Sequence, residues 1–489
     1  MKYLNFDVEA FQYQKNDTKE SFRVRVAGSP VGEMRPNEAE EVVVPQDFRL
    51  RLSFLEDRDL TTPELIELGI MLGQLLLPGR ARGFLDRSRE RLKEDQGLRI
   101  RLKLDTYALA NLPWEFSYIP DADTPASQRS LEGFLVLDRR LSLVRYEMLS
   151  QGLADLEPGK QETLRMAVIL ANPSDPSFPP LDLTSEQQII EQALKGVSQI
   201  NAQFYPNATV ETLHEAITTG ANVFHFAGHG SFQADMESSY GSNEGKGYIV
   251  LVGDKGEERL FSSTNLALIL RGRDVRLVVL GACEGGRRDG VNAWTGVVPA
   301  LTRAGIPAVI GMQYKIADTS AITFSRNFYR TLAAHQSIDE AVTAGRLAIL
   351  TGSSEEVEFD WGVPVLYLRA DEEEGILFPA ATDGQPTIVK PDVIATGGTT
   401  TTPSPSDNVD PRALRTKMIE FFNREDLELL CADVEADLRQ NGIGEIVNLE
   451  IVGGSGIPAI VLNLIKHMER RRLLPYLVKA VRSARPGVI

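Results

Sequence analysis

The sequence predicts an α/β protein: a mainly parallel sheet flanked by helices, with a β-rich N-terminal extension and a small all-α bundle at the C-terminal end. Three observations predict it. Ala221-Asn222-Val223-Phe224-His225-Phe226 and Val275–Leu280 are short runs rich in β-branched and aromatic residues that stop at glycines, as strands buried on both faces of a parallel sheet do. Near the start, segments such as Phe22-Arg23-Val24-Arg25-Val26 alternate apolar and polar residues with the period of a half-buried strand. From Arg412 to Pro486 the apolar residues recur at helical spacing: Leu414, Met418, Phe421 and Phe422, then Leu427, Leu430, Val434 and Leu438, then Ile460 to Met468 and Leu473 to Val481.

Taken in order, residues 1–105 form the β-rich extension, packed on the core, with a helical run from Pro63 to Leu77 and alternation again from Leu98 to Leu104. One or two helices are expected there. Residues 106–380 form the α/β core. Residues 381–411, which include Thr399-Thr400-Thr401-Thr402-Pro403-Ser404-Pro405-Ser406, carry few large apolar side chains and read as a flexible linker. Residues 412–489 read as an all-helical domain of four or five helices.

Composition narrows the function. A chain of 489 residues that is 43% hydrophobic can bury a sizeable core. Two cysteines are too few for a disulfide framework or a cysteine-rich zinc site, and no His-plus-carboxylate cluster has metal-ligand spacing, so no metal and no cofactor are expected. The first residues lack the apolar segment of a signal peptide, and no stretch approaches the roughly 18 apolar residues of a membrane span, so the expected location is the cytoplasm. A net charge of −16 argues against nucleic acid as a partner. No Gly-x-x-x-x-Gly-Lys-Ser/Thr sequence occurs, and Gly228 and Gly230 lack dinucleotide-fingerprint spacing.

The chemistry concentrates in two segments, His225-Phe226-Ala227-Gly228-His229-Gly230 and Leu280-Gly281-Ala282-Cys283-Glu284-Gly285-Gly286. Each follows a strand-like run, and in open α/β sheets reactive groups gather at the carboxyl ends of the strands. A cysteine attacks a carbonyl as its thiolate, so it needs a base within hydrogen-bond reach, and His229 is the candidate base for Cys283. The backbone N–H groups of Gly230 and Cys283 are the candidate donors to the oxyanion formed at the attacked carbonyl. His225, inside its strand, reads as a core histidine bonded to backbone. His214 and His335 read as structural, and Cys431 as a packing residue on a helix.

Gly281-Ala282-Cys283-Glu284-Gly285 is similar to the caspase Gln-Ala-Cys-x-Gly sequence, and Cys283 lies 54 residues after His229, close to the caspase spacing. The negative Glu284 disfavours the aspartate specificity of that family. More of the chain resembles the CHAT peptidases, the bacterial branch of the caspase and separase clan. The resemblance rests on Leu112-Pro113-Trp114-Glu115; on Ala171-Asn172-Pro173 followed by Leu181 and Glu186; on the run from Ala304 through Gly311-Met312-Gln313; on Asp318, Phe328-Tyr329 and Ala344-Gly345-Arg346; and on Trp361-Gly362-Val363-Pro364-Val365-Leu366-Tyr367. It covers roughly residues 100 to 370 in order, and implies a caspase-like sheet and a cysteine endopeptidase whose dyad is His229 and Cys283. Clan relatives often favour a basic residue before the cut, and Glu284, Asp318 or Asp254 would supply the negative charge.

A second resemblance covers the tail. Glu425-Asp426-Leu427-Glu428-Leu429-Leu430, Leu473-Leu474-Pro475-Tyr476-Leu477 and Arg485-Pro486-Gly487 look like an effector-associated domain, a death-like adaptor of bacterial conflict systems. It implies recruitment by proteins carrying a matching domain, self-association, and an effector role in defence or programmed cell death. Acidic residues from Glu425 to Asp437 crowd one helix and basic ones from Arg470 to Arg485 crowd the end of the tail; two readings fit, solvated helix faces or head-to-tail pairing between copies. Two other functions fit the same residues: an idle scaffold that works through this domain, and a hydrolase or acyltransferase acting on small amides.

Overall fold

In the computed structural model the described residues are 1–16, 19–120, 125, 128–148, 163–174, 178, 181–195, 200–233, 246–282, 294–314, 316–352, 359–369, 417–418, 421–422, 424–440, 460–461, 464–465, 468 and 473–485. The chain divides into two compact units, Met1–Pro386 and Thr387–Ile489.

The first unit opens with strands β1 (Lys2–Lys15), β2 (Glu20–Gly28) and β3 (Glu40–Val43). Helices α1 (Phe48–Glu56), α2 (Thr62–Leu76) and α3 (Gly79–Glu90) and strand β4 (Gln96–Leu104) follow. There are three helices here among the described residues, where the sequence reading expects one or two. α1 and α3 are hard to see because arginines interrupt their apolar residues: α1 buries only Phe48, Leu52 and Leu55, and α3 buries Ala81 and Leu85. α2 is legible because Thr61 and Glu64 form a capping box around Pro63, the Glu64 side chain accepting from the Thr61 N–H at 2.8 Å.

Short helix α4 (Tyr107–Ala110) leads to β5 (Leu141–Arg145) and β6 (Leu164–Ala171). α5 (Leu183–Leu194), β7 (Ile200–Tyr205), α6 (Val210–Thr218), β8 (Val223–Gly228), β9 (Gly230–Gln233), β10 (Lys246–Val252) and β11 (Glu258–Ser262) come next. The unit continues through α7 (Ser263–Leu270), β12 (Leu277–Ala282), α8 (Trp294–Arg303), β13 (Ala308–Met312), α9 (Asp318–Ala333), α10 (Ile338–Gly352) and β14 (Pro364–Leu368).

Eleven of these strands make one sheet in the order β3-β2-β1-β4-β5-β14-β13-β12-β8-β6-β7. It is mainly parallel: β1, β4, β5 and β14 run one way, and β13, β12, β8, β6 and β7 the other, meeting at the antiparallel pair of β13 and β14. β1 to β4 therefore hydrogen-bond into the same sheet as the strands of residues 106–380. β9, β10 and β11 form a separate antiparallel sheet that starts where β8 stops.

The two-residue period of the strands sorts their side chains onto the two faces. Met166, Val168, Leu170, Val223 and Ala227 join one apolar cluster with Phe324, Phe328 and Tyr329 of α9. Ala167, Ile169, Ala171, Phe224 and Phe226 join another with residues of α6, α7 and α8. Both faces are covered, which is why β8 and β12 read as continuous apolar runs.

The second unit contains α11 (Arg424–Gln440) and α12 (Leu474–Ala484). Met418, Phe422, Leu427, Leu430, Cys431, Val434 and Leu438 pack with Ile460, Val461, Leu464, Ile465, Met468, Leu477 and Val481. Part of its charge asymmetry is satisfied internally, because Lys479 bonds both oxygens of Asp437 at 2.9 Å and Arg485 lies 3.3 Å from Asp426. The proposed linker residues 381–411 lie outside the described residues.

Candidate active site

β8 and β12 are parallel neighbours, and their register pairs Ala282 with Gly228 at the carboxyl end of both. The next residue after β8 is His229. The next after β12 is Cys283, which lies outside the described residues, as does Glu284. The His229 side chain is fully buried, its ring packed against Phe178 with centroids 5.0 Å apart. The His229 carbonyl accepts from the Val250 N–H at 2.9 Å. Since bonded and non-bonded pairs alternate in an antiparallel ladder, the next pair, Gly230 with Ile249, leaves the Gly230 N–H facing away from β10.

The other candidates are spread. Asp254 is exposed, in the turn between β10 and β11. Asp318 is the first residue of α9. His335 follows α9 with a positive φ of 57°, and Cys431 is buried in α11, its thiol pushed up to about 12, first by burial and then by the charges of Glu428 and Glu435.

His225 differs from expectation. Its Nδ1 hydrogen-bonds the Tyr329 hydroxyl at 2.7 Å rather than backbone, because α9 lays Tyr329 against that face of β8. Burial, with the Glu186 charge adding to it, holds the Tyr329 pKa well above its ordinary value, so the ring stays a phenol. His225 Nε2 lies 3.7 Å from Glu186 Oε1.

A second group sits at the end of β13, beside β12. Glu115, fully buried, accepts from Arg145 Nη2 at 2.7 Å and from Gln313 Nε2 at 3.1 Å. Gln313 Nε2 also donates to the Gly362 carbonyl at 2.8 Å, and Arg145 donates to the carbonyls of Ala110 and Leu112. Burial works against the Arg145 cation, yet Glu115 outweighs it and its pKa is raised. Arg346, buried close by, donates to the Pro364 carbonyl at 2.6 Å, and burial pushes it down to about 10. Leu112-Pro113-Trp114-Glu115 and Gly311-Met312-Gln313 thus meet: one holds the other where the chain leaves β13. Sequence reasoning quoted Glu115, Glu186, Gln313 and Tyr329 as parts of motifs and missed what they do, because each acts through a partner remote in the chain.

A mainly parallel α/β sheet that brings a buried histidine to the same edge as the end of β12, one residue before Cys283, has a peptidase-like form. Residues 68–379, well over half of the chain, match the CHAT domain family, and the chain belongs to that family. The match begins inside the segment read from sequence as an extension. Among solved structures, the chain is similar to the Arg-specific cysteine proteinase gingipain R, at 12% identity and a TM-score of 0.37, over 59% of this chain and 67% of that one. It is similar to separase in the Saccharomyces cerevisiae separase–securin complex, at 10% identity and a TM-score of 0.40, over 74% of this chain and 30% of that one. It is also similar to the Drosophila initiator caspase Dronc, at 9% identity and a TM-score of 0.28, over 45% of this chain and 85% of that one. The chain thus spans under a third of that separase chain. No curated protein matches it. Among the described residues no helix is long and apolar enough to cross a membrane.

Proposed function

We propose that this chain is a cysteine endopeptidase that cuts polypeptides with His229 and Cys283. What supports the reading most is the pairing of Ala282 with Gly228, which brings β8 and β12 to a common end one residue before the histidine and the cysteine. His229 takes the thiol proton, and the thiolate adds to the scissile carbonyl. The N–H groups of Gly230 and Cys283 receive the oxyanion, and His229 returns the proton to the leaving amine. Water then attacks the thioester with His229 as base, which frees the acid and restores the thiol. No step uses a metal or cofactor.

The substrate residue before the cut is basic, met by negative charge for which Glu284, Asp318 and Asp254 are the candidates drawn from the sequence. The C-terminal unit acts as an effector-associated, death-like recruitment domain, bound by proteins with a matching domain or by further copies of this chain. Together these make a cytoplasmic effector of bacterial defence or programmed cell death. The test is cleavage of an unbiased peptide library by the wild-type chain, Cys283→Ala and His229→Ala. Cleavage by the wild type alone, with new ends following Lys or Arg, is the expected result. Equal cleavage by Cys283→Ala overturns the assignment.

A further inference from the structure

Ala171-Asn172-Pro173, followed by Leu181, takes no part in the proposed chemistry, yet it starts beside the base. Ala171, the last residue of β6, pairs with Gly228, the last of β8, so Asn172 and His229 leave neighbouring strands at the same level. The approach is close. A Cβ on Gly228 would stand 2.8 Å from the Ala171 carbonyl oxygen and 2.7 Å from the Phe226 ring, so only glycine lets β8 end against β6 there.

Asn172 clasps the chain at Leu181: its Nδ2 donates to the Leu181 carbonyl at 2.9 Å, and its Oδ1 accepts from the Leu181 N–H at 3.3 Å. An asparagine amide has a donor end and an acceptor end, and here both meet the main chain of a single residue. Ser174 adds a further tie, its N–H donating at 2.8 Å to the carbonyl of Gly256, in the turn between β10 and β11. Phe178 lies between the clasped residues in the chain and is 7% exposed. Its ring sits against the His229 imidazole, with centroids 5.0 Å apart and planes inclined by 37°. β10 holds the main chain of His229 through the Val250 N–H, and Phe178 packs on its ring.

We infer that Phe178 is a positioning residue for His229, held over the imidazole by the clasp between Asn172 and Leu181. This rests on the peptidase reading for what the histidine does. Filling a gap needs only apolar volume, which a leucine also supplies. An aromatic ring does two things more. Its flat face restricts rotation of the imidazole, and its π electrons attract the imidazolium that forms when the thiol gives up its proton, as phenyl rings attract cations within about 6 Å of their centroids.

The test compares Phe178→Leu, Phe178→Tyr and Asn172→Ala in the full chain by two readouts. The first is the Cε1–H resonance of His229 in chain labelled selectively at histidine, assigned by its loss in His229→Ala. Phe178→Leu shifts that resonance because the aromatic ring current goes, and Phe178→Tyr leaves it near the native position. The second is the rate at which iodoacetamide alkylates Cys283 at neutral pH. That rate falls roughly 10-fold in Phe178→Leu and in Asn172→Ala and stays within about twofold of native in Phe178→Tyr. Asn172→Asp, which keeps the bond from the Leu181 N–H, falls between and guards against an alanine variant that fails to fold. An unmoved resonance in Phe178→Leu, or a native alkylation rate in both Phe178→Leu and Asn172→Ala, overturns the assignment and leaves Phe178 as core filling. Failure of the peptidase reading looks different: alkylation of the native chain is then slow and indifferent to His229→Ala, while the shift in Phe178→Leu persists.

Discussion

Glu115 and Glu186 are both carboxylates set against the same sheet, and their surroundings are opposite. Glu115 is fully buried and receives Arg145 and Gln313, so its charge and lone pairs are met inside the protein. Among the described residues Glu186 has an imidazole nitrogen at 3.7 Å, and it keeps part of its surface in solvent. The difference is one of burial and of how completely each charge is met by the protein. A buried network that is complete fixes the fold, whereas a carboxylate that keeps part of its surface in solvent is met by water and adds little to it.

The contrast breaks first at Arg145. Arg145→Ala strands the Glu115 charge in the interior and is expected to cost about 3–5 kcal/mol, read from urea unfolding of the full chain. Arg99→Ala, which strands Asp339 from its buried bidentate pair at 2.5 and 3.0 Å, costs the same order. Tyr329→Phe removes one hydrogen bond from His225 and costs about 1 kcal/mol. Glu186→Gln changes stability by no more than about 0.5 kcal/mol, since among the described residues it takes no hydrogen-bonded partner away. A large loss in Glu186→Gln would make the two sites alike and erase the contrast. Lys479→Ala in the second unit, whose amine is exposed, removes a surface pair with Asp437 and costs about 0.2–1 kcal/mol.

Cys431 sharpens the comparison on the side of the thiols. Its pKa is raised in the folded protein to about 12, above the unfolded value, so the neutral thiol stabilises the fold fully below the unfolded pKa. That stability is lost as pH rises toward 12. Thermal unfolding midpoints measured between pH 8 and 11 should fall more steeply for the native sequence than for Cys431→Ala.

The strands that frame the site were legible because burial on both faces leaves little but apolar residues between glycines. The run to Phe226 became β8 (Val223–Gly228), and the run to Leu280 became β12 (Leu277–Ala282). Pro63 to Leu77 became α2, and Leu98 to Leu104 lies within β4. Less legible was the single sheet, since the parallel pairing of β1 with β4 joins residues that lie far apart in the chain. His225 could not be resolved for the same reason: its neighbours Glu186 and Tyr329 come from α5 and α9, and nothing in local spacing brings them together.

The most direct measurement is the pH dependence of iodoacetamide alkylation of Cys283, followed by mass spectrometry in the native full chain and in His229→Ala. Cys431, buried and held as a thiol, serves as the unreactive internal control. The account predicts rapid alkylation of Cys283 with an apparent pKa well below the ordinary value of about 8.5, lost when His229 is removed. Slow alkylation near that ordinary value in both proteins would contradict it.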